Sequence, residues 1–101
     1  MSIIIGNYSF EGPFNNTASL YNQSGVYAIL TLPATGGSHT VIDIGESEAV
    51  RDRIARHDRS MQWNHANQGS LHVAVYYCDE RTRMQVESTL RWQFSPVCGD
   101  R

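Results

Sequence analysis

The chain has 101 residues, enough for one domain with a single hydrophobic core. Hydrophobic residues make up 41% of it and charged residues 18%, which is ordinary for a globular protein and argues against disorder. The formal net charge of −2 lacks the basic surplus that free-standing nucleic-acid binders usually carry.

The basic residues are unevenly distributed along the chain. All eight are arginines, and four of them fall within a short segment: Arg51, Arg53, Arg56 and Arg59. An arginine fork can hold phosphate or carboxylate oxygens with two parallel hydrogen bonds. The segment is therefore locally basic within a chain that is slightly acidic overall.

Nothing in the sequence predicts export or membrane insertion. No apolar run approaches the ~20 residues of a membrane-spanning helix. The apolar start at residues 3–5 is too short for a signal peptide and has no basic residue before it. Cys78 and Cys98 lack CxxC spacing, which fits either free thiols or one bridge. We expect a cytoplasmic protein that does not bind membranes.

The first half of the chain predicts a strand hairpin followed by a helix. Residues 3–10 have strand character, and about one helical turn is expected at residues 18–20. Residues 25–32 and 40–45 predict two antiparallel strands, because the loop between them is too short for a crossover helix. Ser47 is the expected N-cap of a helix that ends near residues 59–60.

The second half predicts one more strand and one more helix. Residues 61–69 are expected to be irregular or briefly helical, residues 71–77 alternate as a strand does, and residues 82–94 have helical periodicity. These elements predict an α+β fold in which a three-stranded antiparallel or mixed sheet is flanked by helices.

Five positions in this order of elements carry groups suited to phosphate chemistry. Gly25-Val26-Tyr27 opens the first hairpin strand and Asp43-Ile44-Gly45 ends the second, while Arg53, His57 and Glu87 fall on the predicted helices. This set resembles the GIY-YIG nuclease domain, which has the same order of hairpin, helix, strand and helix. The resemblance covers residues 25–99, so we divide the chain into an N-terminal extension with a short strand (1–24) and a GIY-YIG-like domain (25–101).

The sequence departs from the family pattern at three points. Asp43 stands where the family has tyrosine, and residues 95–99 contain no asparagine where the family places one. The loop between the two motifs is also long. The family function therefore depends on what Asp43 does in this chain.

The resemblance implies a metal-dependent endonuclease that hydrolyses phosphodiester bonds, with DNA as the expected substrate. Glu87 would bind one Mg²⁺ or Mn²⁺ ion, and Arg53 would bind the non-bridging phosphate oxygens. Tyr27, or His57 acting with it, would take the proton of the attacking water. The ordinary pKa of histidine, ~6.5, suits a base better than the ~10 of tyrosine, which favours a part for His57.

Several of these assignments have structural alternatives. Asp43 could bind the metal, orient His57 or Arg53, or serve only the fold. Tyr27 could be a core aromatic, and Arg53 and His57 could share a solvated helix face. Glu87 lies one helical turn from both Arg83 and Arg91, the spacing of a surface ion-pair ladder.

Two other functions remain open at the level of sequence. The chain could be a catalytically inactive GIY-YIG-like domain that binds nucleic acid or a protein, or an unrelated α+β interaction domain. As a nuclease without an added DNA-binding module it would be weak or non-specific by itself, or would gain specificity from a homodimer or a protein partner.

Overall fold

The computed structural model of the protein describes residues 1–57 and 59–98. Their five strands form a single sheet in which every neighbouring pair is antiparallel. The strands are β1 (Ser2–Ile5), β2 (Tyr8–Phe14), β3 (Gly25–Pro33), β4 (Thr40–Ser47) and β5 (Gly69–Tyr77), in the spatial order β1-β2-β5-β3-β4. The α+β prediction is confirmed. The predicted number of three strands is wrong, because residues 1–14 add a hairpin that pairs with β5.

The helices differ from the predicted ones in where they begin and end. They are α1 (Val50–Ala55), α2 (Ser60–Ala66) and α3 (Glu80–Phe94), with a short 3₁₀ turn at Thr17–Ser19. The first predicted helix stops early: the His57 N–H bonds to the Ile54 carbonyl instead of continuing the helical pattern, and the Arg59 N–H is then taken by His57 Nδ1. α3 begins two residues before its predicted start, since Asp79 caps it by accepting from the Thr82 N–H.

Helices cover the two faces of the sheet separately. On β3, Val26 and Ala28 pack with Leu90 of α3, while Tyr27 packs in the other cluster with Ile54 of α1 and Trp63 of α2. This division follows from the alternation of side chains along a strand. Tyr27 is therefore held in the layer between the sheet and the two short helices.

The outer edge of β4 is partly closed by side-chain and main-chain donors. The Ile42 carbonyl accepts from the Cys98 N–H at 2.9 Å, and the Ile44 carbonyl accepts from Arg91. The pairing of β4 with β3 shifts at Ile29 and Leu30, where Asp43 and Val41 are the respective partners. The C-terminal segment and α3 are thus anchored to the strand that carries Asp43.

Across residues 1–57 and 59–98, no helix has the length and apolarity needed to cross a bilayer.

Candidate functional site

Tyr27 and His57 form a hydrogen-bonded pair beneath the two short helices. The Tyr27 hydroxyl lies 2.5 Å from His57 Nε2, and the two rings meet nearly edge to face with centroids 5.7 Å apart. Both residues are buried, with exposed fractions of 1% and 4%. The tyrosine comes from the middle of the sheet and the histidine from the corner after α1, so the fold brings together two groups far apart in sequence.

The other imidazole nitrogen determines the direction of this hydrogen bond. His57 Nδ1 accepts from the Arg59 main-chain N–H at 3.0 Å, so in the neutral ring Nδ1 carries no proton. The single proton is then on Nε2, which donates to the Tyr27 oxygen. Tyr27 consequently acts as an acceptor toward His57 and retains its own hydroxyl proton.

Arg53 is the third predicted residue that reaches this pair. Burial raises the pKa of Tyr27 to about 12, and the positive charges of Arg53 and Arg59 counteract that shift. A hydrogen bond between Tyr27 and the Arg53 side chain also lowers the pKa. At neutral pH Tyr27 is thus a neutral phenol, because burial and the nearby Asp43 charge outweigh the two arginines.

A shallow depression of about 280 Å³ lies on the outer side of Arg53. It is lined by Ser47, Glu48, Ala49, Asp52, Arg53 and Arg56. Arg53 belongs both to this depression and to the surroundings of Tyr27, and its side chain is exposed. Arg53 is therefore the residue that connects the solvent with the buried phenol. The predicted shared helix face of Arg53 and His57 does not exist as such, because α1 ends at Ala55.

Gly45 makes room for the phenol on the neighbouring strand. Gly45 is directly opposite Tyr27 in the register of β3 and β4. A Cβ atom at this position would overlap the Tyr27 hydroxyl and the ring carbon that bears it. The glycine of the second motif is thus needed for the Tyr27 ring to lie across β4.

Asp43 is completely buried in a second group of side chains, which we call the Asp43 cluster: Asp43, Arg59, Trp63 and Arg91. Its Oδ1 accepts from Arg91 Nη1 at 2.8 Å, from Arg59 Nη2 at 3.2 Å and from the Ile44 N–H at 2.9 Å. Its Oδ2 accepts from Arg59 Nε at 2.8 Å and from Trp63 Nε1 at 2.7 Å. Both carboxylate oxygens are therefore fully used by protein donors.

The partners of Asp43 explain its ionisation state. Burial acts to raise its pKa, but hydrogen bonds from Arg59, Trp63 and Arg91 outweigh burial and lower the pKa below its usual range. The carboxylate is thus charged at neutral pH and has no oxygen left for a metal ion or substrate. Asp43 was a predicted site residue with Arg53 or His57 as expected partners. The structure gives it Arg59, Trp63 and Arg91 instead.

Glu87 lies on α3, which packs on the other face of the sheet from Tyr27. Its helical neighbours Arg83 and Arg91 are buried, and each has a carboxylate partner on β4: Glu46 at 2.7 Å and Asp43 at 2.8 Å. The ladder was one of two alternatives for Glu87, and its surface position is wrong for the two arginines, which are buried and bridge α3 to the sheet. The half-buried Glu87 lies one helical turn from each of these arginines, on the same side of α3.

The site contains two groups of residues: one that the sequence predicts together, and the Asp43 cluster, which the sequence does not predict. Tyr27, Arg53 and His57 converge, whereas Asp43 and Glu87 are placed around the edge of β4. The sequence indicates Arg59 only as a member of the arginine cluster, Trp63 only as an anchor of residues 61–69 and Arg91 only as a helical neighbour of Glu87. The sequence feature that points to these partners is Asp43 itself, because a carboxylate in a buried strand requires cationic or hydrogen-bonding partners.

Within the described residues, no three His, Cys, Asp or Glu side chains are grouped as a ready-made metal site.

Comparison with protein-family models, curated proteins and solved structures finds no match to this chain.

Proposed function

We propose that the protein is a phosphodiesterase of the GIY-YIG type, a metal-dependent endonuclease acting on DNA. The observation that supports it best is the short Tyr27–His57 hydrogen bond, with Arg53 beside the same phenol. These three groups come from β3, α1 and the corner that follows it. The resemblance also requires Glu87 at this place, and Glu87 instead lies on α3, which packs on the opposite face of the sheet from Tyr27.

Tyr27 is the group we assign to accept the proton of the attacking water. His57 cannot accept through Nε2 while its Nδ1 is held by the Arg59 N–H, because Nε2 already carries the ring proton. Once Tyr27 has lost its hydroxyl proton, its oxygen still accepts the hydrogen bond from His57 Nε2–H and remains stabilised by the charge of Arg53. The pKa of about 12 leaves only about 10⁻⁵ of the phenol ionised at pH 7, so activity should rise with pH.

Arg53 is assigned to bind the scissile phosphate. Its guanidinium can approach two non-bridging oxygens at once and favours the charge that builds on them during attack. Because Arg53 lines the adjoining depression and also bonds to the phenol, its guanidinium can bind a phosphate there while it remains beside Tyr27. One side chain thereby connects phosphate binding with the assigned base.

Glu87 fits a divalent cation only as a single carboxylate ligand, with water and phosphate oxygens completing the coordination. Mg²⁺ and Mn²⁺ accept such a ligand set because they retain much of their water shell. Arg83 and Arg91 each keep another carboxylate partner if Glu87 binds a cation. The role of Glu87 as a metal ligand rests on the resemblance, because Glu87 is not among the residues that line the depression beside Arg53.

Nicking of supercoiled plasmid DNA tests the proposal directly. Wild-type protein should nick with Mg²⁺ or Mn²⁺ and not in EDTA, and Tyr27→Phe, Arg53→Ala and Glu87→Gln should each lower the rate at least tenfold. Tyr8→Phe is the matched tyrosine control because Tyr8 packs against Tyr76 in the cluster on the α3 face. Arg51→Ala is the arginine control, since Arg51 is exposed on the same helix as Arg53.

The outcome separates the candidate functions. Cleavage that survives Tyr27→Phe and Glu87→Gln would refute the assigned roles. Plasmid binding without cleavage, with log affinity falling linearly against log salt, would instead identify an inactive nucleic-acid-binding domain. Absence of binding at low salt would favour an interaction domain for proteins.

A further inference from the structure

The corner between α1 and α2 joins the Tyr27–His57 pair to the Asp43 cluster through one residue, Arg59. Its guanidinium forks onto Asp43 with distances of 2.8 Å from Nε and 3.2 Å from Nη2. Its main-chain N–H donates to His57 Nδ1 at 3.0 Å. Arg59 is thus fixed at its side chain by a buried carboxylate and bonded at its main chain to the imidazole.

Trp63 provides a second connection between the same two groups. Its indole N–H donates to Asp43 Oδ2 at 2.7 Å, and its ring packs against the His57 ring with centroids 4.6 Å apart. Asp43 therefore holds both the hydrogen-bond donor to Nδ1 and the surface on which the imidazole lies.

We propose that Asp43 and Arg59 are positioning residues that fix the orientation and tautomer of His57, an inference that rests on the proposed function. The Asp43 carboxylate holds the Arg59 side chain, so the Arg59 N–H stays directed at Nδ1. The one imidazole proton of neutral His57 is then kept on Nε2, facing the Tyr27 oxygen. Neither Asp43 nor Arg59 contacts substrate in this role.

The main chain of this corner is held by turn hydrogen bonds from the His57 N–H to the Ile54 carbonyl and from the Ser60 N–H to the His57 carbonyl, both at 3.3 Å, but these do not set the orientation of the imidazole ring. α1 ends at Ala55 and α2 begins at Ser60, so His57 lies in the intervening segment. The second side-chain torsion of histidine has a broad two-fold profile, so a ring flip would replace Nε2 by a carbon opposite Tyr27. Among the described residues, Tyr27 bonds to one side of this ring and carries the contact with Arg53, while Arg59, which is paired with Asp43, bonds to the other side.

Arg59→Ala tests the inference without removing the buried carboxylate. The Arg59 side chain is 23% exposed, and Asp43 retains Arg91 and Trp63 in this variant, so the fold should persist. Nitrogen-15 NMR of the histidine rings should show one tautomer of His57 in the wild type, with Nε2 protonated, and a mixture in Arg59→Ala. Amide hydrogen exchange at residue 59 should accelerate at least tenfold.

Catalysis supplies the second readout. kcat for plasmid nicking should fall at least tenfold in Arg59→Ala while KM changes less than threefold, because phosphate binding by Arg53 is preserved. Arg59→Lys keeps the positive charge but not the two-pronged guanidinium, so its kcat should lie between those of the wild type and Arg59→Ala. Arg83→Ala is the control, since it removes an equally short carboxylate pair, with Glu46, and should leave the His57 tautomer unchanged.

The two proposals fail in different ways. An unchanged tautomer and unchanged exchange rate in Arg59→Ala would overturn the positioning role, whatever happens to cleavage. Loss of the single tautomer in a protein whose wild type cleaves nothing would support the anchoring and overturn the proposed hydrolysis. Circular dichroism of each variant distinguishes either result from unfolding.

Discussion

Replacing Asp43 by asparagine should destabilise the protein more than any other single removal of charge on the sheet. The side chains have nearly the same shape, so the change removes the negative charge and converts one oxygen into an NH₂ group. Both oxygens of Asp43 accept hydrogen bonds from protein donors. Either orientation of the amide therefore places its NH₂ group against another donor.

The size of the effect follows from what remains buried. With the amide nitrogen at the Oδ2 position, Arg59 Nε and Trp63 Nε1 lose their acceptor, while Arg91, whose side chain is 3% exposed, loses its counter-charge. Breaking a buried ion pair in this way costs about 3–5 kcal/mol. A domain of this length has a free energy of unfolding of roughly 5–15 kcal/mol in total. Asp43→Asn should therefore remove a large part of the stability.

Urea denaturation and thermal melting measure this loss. The expected change lowers Tm by at least about 12 °C, because 1 kcal/mol corresponds to about 4–8 °C in a domain of this size. Glu46→Gln is the control, since its pair with Arg83 is partly exposed, with 28% of the Glu46 side chain accessible, and should cost at most about 1 kcal/mol. If the free energy of unfolding of Asp43→Asn stays within about 1 kcal/mol of the wild type, the Asp43 cluster does not stabilise the fold to this extent.

Three further changes test the surroundings of Tyr27 and Asp43. Gly45→Ala should displace the Tyr27 ring and cost about 1–3 kcal/mol by overpacking, with nicking lost in proportion; a crystal structure with an unmoved ring would contradict this. Burial raises the pKa of Tyr27 from ~10 in the unfolded chain to about 12 in the folded protein. The free energy of unfolding should therefore be unaffected by this group below pH ~10 and should fall by roughly 2–3 kcal/mol as the pH rises toward ~12. Tyr27→Phe should flatten this alkaline decline in urea titrations at several pH values, and an equal decline would refute the assignment. Since the pKa of Asp43 is lowered despite its burial, its contribution should be present above pH ~4 and lost on further acidification, and Asp43→Asn should remove that acid dependence of Tm.

The part of the fold that could be predicted is the part with clear local patterns. β3 at Gly25–Pro33 and α3 at Glu80–Phe94 match their predicted ranges within a few residues, because strand-forming residues and helical periodicity are strong there. Residues 3–10 predict one stretch of strand broken at Gly6 and Asn7, whereas in the structure these two residues form the turn between β1 and β2. Its pairing with β5 is a long-range contact that no local pattern indicates.

In the candidate site, too, the sequence predicts some features and not others. Tyr27, Arg53 and His57 were predicted together from motif order, and the structure brings them together through the packing of α1 on the sheet. The separation of α1 from α2 was not predicted, because it depends on the turn at His57 and on a side-chain acceptor, His57 Nδ1, for the Arg59 main-chain N–H. The burial of Arg83 and Arg91 was also missed, since their spacing on α3 is equally typical of an exposed ion-pair ladder.

The role of Asp43 changes what its replacement by tyrosine should do. The resemblance alone predicts that Asp43→Tyr keeps or raises cleavage, because it restores the residue of the family motif. The structure predicts the opposite, since tyrosine would leave the buried Arg91 without its carboxylate and would also have to fit a completely buried position. A folded, active Asp43→Tyr variant would show that the cluster can be dispensed with. An unfolded variant would agree with a structural role for the carboxylate at the second-motif position, where it pairs with Arg59 and Arg91.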